Sequence, residues 1–112
     1  MSINSIALSL EQFAKDRDWD QFHTPTNLAK SISIESAELL ELFQWTDKAD
    51  IAKVRQEIAD IAIYLIMLCN KTGTDLETEI VHKISANEKK YPASLVRGSS
   101  KKYTEYEGSK ND

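Results

Sequence analysis

A chain of 112 residues makes one small domain. Domains of this size bury a limited share of their surface, so a deep pocket calls for help from further copies. With only 3 Gly and 2 Pro and 29% charged residues, the composition disfavours a turn-rich β fold and favours helices. The net charge of −4 argues against broad nucleic-acid binding, which needs a basic surface; it leaves room for a nucleotide whose phosphates are carried by metal.

Four helices are expected, in an all-α domain over residues 1–92. The first covers 3–18, with Ile3, Ile6, Ala7, Leu10 and Phe13 as its apolar stripe. A connector, D-W-D-Q-F-H, crowds Trp19, Phe22 and His23 together. The second helix opens at Thr24-Pro25, where Thr24 suits the N-cap and Pro25 the first helical position. It runs to about Phe43, with Leu28, Ile32, Leu39, Leu40 and Phe43 facing a core and Glu35 and Glu38 on another side.

After a turn at Thr46–Asp50, the third helix runs from about Lys48 to Lys71 and is stopped by Gly73. Its centre, I-A-D-I-A-I-Y-L-I-M-L, is apolar nearly all round, which implies a central position or a subunit interface. The fourth helix starts near Thr74-Asp75 and ends before Pro92. Residues 93–112 turn polar and are expected as an arm, partly disordered or packed on a neighbouring subunit.

Two acidic pairs carry most of the chemistry: Glu35 and Glu38 in E-S-A-E, and Glu57 and Asp60 in E-I-A-D. Residues three apart share a helix face, so each helix points two carboxylates one way. Both pairs interrupt apolar runs. Carboxylates gathered near a core repel one another unless a cation or proton intervenes. An oxygen-only set suits a hard cation, Mg²⁺ or Mn²⁺. The competing reading is two solvated helix faces.

Other side chains have two readings as well. Lys83 and Asn87 share a face of the fourth helix, followed by Lys89, Lys90 and Tyr91; Arg97, Lys101 and Lys102 follow in the arm. These donors suit a triphosphate held between metal and ammonium, or else a basic helix end complementing the helix dipole. Trp19 and Trp45 either stack on a base or cap helix ends. Tyr64 follows Asp60 by one turn and either meets a ligand or packs in the core. Cys69, the sole cysteine, excludes an intrachain disulfide and reads as a buried thiol. His23 and His82 match no zinc spacing, and no phosphate-binding glycine loop is present. With no signal sequence and no apolar run long enough to span a bilayer, the expected location is the cytoplasm.

The order E-x-x-E then E-x-x-D resembles the all-α nucleoside triphosphate pyrophosphatases, the MazG-like group. R-D-W-D-Q-F-H-T-P-T-N-L at 17–28, E-L-F-Q-W at 41–45 and K-Y-P-A-S-L-V-R-G-S-S-K-K-Y-T-E at 90–105 draw it towards the dCTP pyrophosphatase branch. The resemblance implies a MazG-like four-helix-bundle subunit in a homo-oligomer, a tetramer built from dimers. It implies hydrolysis of a nucleoside triphosphate, dCTP first, to monophosphate and pyrophosphate, as nucleotide-pool house-cleaning.

The resemblance also carries residue roles. Glu35, Glu38, Glu57 and Asp60 are implied as Mg²⁺ ligands, with Mn²⁺ as substitute, and one of Glu35 and Glu38 as the catalytic base. Trp19, Trp45 and Tyr64 are implied as base or sugar contacts, with His23 and Asn27 as further substrate-binding residues. Lys83, Asn87, Lys90 and Tyr91 are implied at the phosphates, joined by Arg97, Lys101 and Lys102 from a neighbouring subunit. Animal members align a His at Leu10, so base selectivity is expected to be looser here. Two alternatives stand beside this reading: the same fold acting on another or modified dNTP, and a non-catalytic helical interaction module.

Overall fold

The structure, a computed structural model, describes residues 1–98; residues 99–112 of the expected arm, Lys101 and Lys102 among them, lie outside these. The described residues form α1 (Ile3–Asp16), a 3-10 turn (Asp20–Phe22), α2 (Pro25–Leu42), α3 (Ile51–Thr72), α4 (Leu76–Lys90) and α5 (Ala93–Val96). No strand occurs among them, so the fold is all-α, as expected. The chain divides into two compact units, Met1–Leu76 and a second that begins at Glu77.

Local chemistry sets the helix ends of the first unit. Ser2 and Ser5 form a reciprocal capping box at the start of α1. α1 stops at Asp16, short of the expected 18, because Asp18 adopts a φ of 55°. Aspartate tolerates this left-handed conformation, and the chain folds back as the amides of Asp18 and Trp19 donate to the carbonyls of Lys15 (3.1 Å) and Ala14 (2.9 Å). Thr24 Oγ1 accepts from the Asn27 amide at 3.1 Å, with Pro25 in the first turn of α2. α3 begins at Ile51 rather than near 48 because Asp50 is its cap, accepting from the Ala52 amide at 2.9 Å. Gly73, at φ 65°, ends α3 in the left-handed region that glycine enters freely.

α3 packs chiefly on α2 and secondarily on α1. Ala14, Leu28, Ile66 and Met67 form the buried centre. Two polar contacts from the end of α3 reinforce it: Asn70 Nδ2 donates to the Ala7 carbonyl at 3.0 Å, and Lys71 Nζ pairs with Asp20 Oδ1 at 2.8 Å.

The expected face of α2 needs correction. Leu40 is 68% exposed and Phe43 is exposed too, whereas Glu35 is half-buried. Seven residues fall about 20° short of two full turns, so Glu35 stands almost directly in line with buried Leu28. The inward face runs Leu28, Ile32, Glu35, Leu39, Leu42, and one carboxylate is embedded in it. α3 carries more apolar surface than α1 and α2 cover: Ile58 (54%) and Leu65 (40%) remain exposed.

The second unit holds most of α4, and then α5, a single turn after Pro92 in the stretch expected to be irregular. No helix among the described residues is long and apolar enough to cross a membrane.

Candidate active site

The acidic pairs meet where α2 packs on α3. Glu35, Glu57 and Asp60 each offer a carboxylate oxygen, and these oxygens all lie within 4.8 Å of one another. Glu38, one turn after Glu35 on α2, is exposed at the edge of the group. It approaches closely enough to share a proton with Glu35.

This crowding is expensive. The Glu35 carboxyl is pushed up to about 7, first by the hydrogen bond with Glu38, then by burial and by the charges of Glu38 and Asp60. Burial, followed by the charge of Glu38, raises Glu57 as well. Glu35 Oε2 and Glu57 Oε2 are shielded from solvent and have no hydrogen-bond partner among the described residues. Buried acceptors without donors are costly. A hard divalent cation fits this set on chemistry alone: all donors are anionic oxygens, and two of them lack any other partner.

Beside the carboxylates lies a cavity of about 270 Å³, lined by Leu10, Phe13, Trp19, His23, Asp60, Ile63, Tyr64 and Met67. Asp60 therefore belongs to both the acidic group and the cavity wall. Glu57, Asp60, Tyr64 and Met67 follow one another at three- and four-residue steps, so one stripe of α3 leads from the carboxylates into the cavity.

The opposite wall comes from α1 and the connector. Phe13 and Trp19 meet edge to face, with centroids 5.8 Å apart and planes at 69°. The Arg17 guanidinium lies 3.7 Å from the Phe13 ring centre, and Arg17 Nη1 donates to the Phe13 carbonyl at 3.1 Å.

The structure thus brings Trp19, His23 and Tyr64 together with the carboxylates. It does not bring Trp45 to the cavity; that ring is 88% exposed just beyond α2. Asn27 is occupied at the start of α2, its Nδ2 donating to the Phe22 carbonyl at 2.9 Å. Lys83 and Asn87 lie on α4, Lys90 ends it, and the Tyr91 amide donates to the Asn87 carbonyl at 2.8 Å; exposed Arg97 follows α5. Cys69 is half-buried, and burial raises its thiol, so it is no nucleophile. Sequence reasoning placed Leu10 and Phe13 on a core stripe, with Leu10 also aligned to a His of animal members, and Ile63 and Met67 in the apolar centre of the third helix; all four line the cavity. Phe13 sits three residues after Leu10, a spacing that marks a shared face without telling core from cavity.

The MazG-like family profile matches residues 30–106. The chain is similar to dCTP pyrophosphatase 1 of Homo sapiens, with 41% identity, and of Rattus norvegicus, with 38%; each match covers 84% of this chain. The chain spans only 61% of the length of these curated relatives. Among solved structures it is similar to a pyrophosphatase from Archaeoglobus fulgidus, with 42% identity and a TM-score of 0.74, over 80% of this chain and 91% of that one.

Proposed function

The chain belongs to the MazG-like family, and from that premise we propose that it is a Mg²⁺-dependent nucleoside triphosphate pyrophosphatase. It hydrolyses dCTP to dCMP and pyrophosphate, as a house-cleaning enzyme of the cytoplasmic nucleotide pool. One observation carries the reading: a group of carboxylates able to hold a cation shares Asp60 with an aromatic cavity. That arrangement suits a ligand with a polyphosphate at one end and a flat base at the other. The names borne by the human, rat and archaeal relatives support it.

Glu35, Glu57 and Asp60 hold Mg²⁺, with Mn²⁺ as substitute and Glu38 completing the set. When bound, the metal supplies charge neutralisation on the polyphosphate, polarisation at the α-phosphorus and acidification of water. Glu38 is the member of the Glu35/Glu38 pair best placed to take the proton of the attacking water. It stands outside the three converging oxygens and is open to solvent. Trp19 and Tyr64 flank the base, and His23 offers a ring N–H or an acceptor to its edge. The family resemblance makes Lys83, Asn87, Lys90 and Tyr91 the candidates for phosphate contact, with Arg97, Lys101 and Lys102 from a neighbouring subunit.

The enzyme works as a homo-oligomer, a tetramer of two dimers. Exposed Ile34, Leu40, Ile58 and Leu65 give α2 and α3 the apolar surface such an assembly covers. Pyrophosphate release measured across the eight common NTPs and dNTPs with Mg²⁺ tests the function. The reading expects dCTP to lead. Release from none of the eight would leave the modified-dNTP and interaction-module alternatives.

A further inference from the structure

We propose that Asp20 and Lys71 are a positioning pair that holds the connector between α1 and α2 against the end of α3, and so keeps the base cavity formed. The proposal rests on the nucleotide reading for its link to catalysis, but its structural half stands alone.

The cavity has two walls. Asp60, Ile63, Tyr64 and Met67 sit on α3, a helix anchored by buried Ile66 and Met67. Trp19 and His23 instead bracket the single 3-10 turn Asp20–Phe22. Burial does little to hold that turn: Trp19 is 47% exposed and Phe22 is 60% exposed. Its entry passes through Asp18 at φ 55°, an uncommon conformation for a residue with a Cβ.

The other hydrogen bonds of the connector are local. Gln21 Nε2 donates to the Asp18 carbonyl (3.0 Å) and to Asp18 Oδ2 (3.1 Å). The His23 amide donates to the Asp20 carbonyl at 3.1 Å. These bonds shape the turn without tying it to α3. The tie is Lys71 Nζ, 2.8 Å from Asp20 Oδ1 and 3.4 Å from the Asp20 carbonyl, across 51 positions of chain. Asp20 adjoins Trp19 and lies three residues before His23, so the pair acts on both connector side chains of the cavity.

Magnitude separates this role from a structural one. A half-exposed ion pair contributes little to global stability, so its loss leaves Tm nearly unchanged. The fraction of molecules with a formed cavity falls instead, and apparent affinity falls with that fraction. For a surface pair the expected weakening is about two- to fivefold.

The test uses the full chain with Trp45→Phe as the common parent, which leaves Trp19 as the sole tryptophan. Lys71→Ala, Lys71→Arg and the charge swap Asp20→Lys/Lys71→Asp are compared with it by acrylamide quenching of Trp19 fluorescence and by KM and kcat for dCTP. Lys71→Ala is expected to raise the quenching constant and to raise KM about two- to fivefold with kcat unchanged. Lys71→Arg and the swap are expected to return both towards the parent. Unchanged quenching and KM in Lys71→Ala would overturn the proposal, as would a change that Lys71→Arg does not reverse. If the unmodified chain hydrolyses no dNTP, the functional reading fails, and the quenching comparison in the Trp45→Phe parent still decides the positioning role.

Discussion

Glu35 of α2 and Glu57 of α3 meet across the packing of those helices, with carboxylate oxygens within 4.8 Å, and each keeps a solvent-shielded Oε2 that has no partner among the described residues. Two half-buried carboxylates crowded together, each with a shielded oxygen, destabilise the fold that brings them together. Their presence makes sense if a cation completes the site.

The roles of the carboxylates separate by substitution. Glu57→Gln and Asp60→Asn should remove Mg²⁺ binding in titration calorimetry and lower turnover at least about a hundredfold, near 2.7 kcal/mol of transition-state stabilisation. Glu38→Gln, at the edge of the set, should weaken Mg²⁺ binding less than either and lose kcat by about 10²–10⁴, the usual worth of a general base. Near-normal kcat in Glu38→Gln would transfer the base role to Glu35.

In the metal-free protein the Glu35 contribution to stability should fall as pH rises from about 4.5 to about 7. The Glu35 carboxyl titrates near 7 in the fold against an ordinary 4.5, so between those values the folded state holds a proton that the unfolded state has released. Folding then takes up a proton, and this contribution is greatest below about pH 4.5 and declines up to about pH 7. Thermal melts of metal-free protein from pH 5 to 8 check this. Glu35→Gln should flatten the decline. Saturating Mg²⁺ should oppose it, since cation and proton compete for the same oxygens.

Much of this was legible from spacing alone. The three-residue steps Glu35–Glu38 and Glu57–Asp60 marked two carboxylates per helix, and Thr24-Pro25 and Gly73 marked helix ends now seen at Pro25 and Thr72. Asp18 was not legible as a stop, because its left-handed φ depends on the fold-back of the connector. The face of α2 was misjudged because Leu40 and Phe43 are apolar yet exposed, while Glu35 is charged yet turned inward; hydrophobicity alone cannot rank a carboxylate that the site needs. The cavity was half legible. Trp19, His23 and Tyr64 stood out by type, whereas Phe13, Ile63 and Met67 looked like ordinary core and Leu10 was marked only by the His that animal members align there.

Substitutions in the cavity should act on binding. Trp19→Ala removes a stacking face and should raise KM for every substrate together, by an amount on the order of 1–3 kcal/mol. Stacking tolerates any base, and among the described residues the cavity wall offers few polar groups: the Trp19 indole N–H, His23, Tyr64 and Asp60. Selectivity for dCTP over the other dNTPs should therefore stay below about a thousandfold in kcat/KM, roughly 4 kcal/mol. A sharper preference in steady-state kinetics would require a base-reading group outside this cavity.

Assembly should be visible in solution. Light scattering at micromolar concentration should give about four times the 12.7 kDa chain mass. Leu40→Glu or Ile58→Glu should lower that mass by placing charge on the apolar surfaces of α2 and α3. A 12.7 kDa particle for the unmodified chain would remove the oligomer from the account.

The central claim is that water attacks the α-phosphorus of a nucleoside triphosphate held between the carboxylates and the aromatic cavity. Hydrolysis of dCTP with Mg²⁺ in ¹⁸O-labelled water, followed by chromatography and mass spectrometry, tests it directly. The account predicts dCMP and pyrophosphate as the products, with the label in dCMP. Production of dCDP and phosphate, or label in the pyrophosphate, would contradict it.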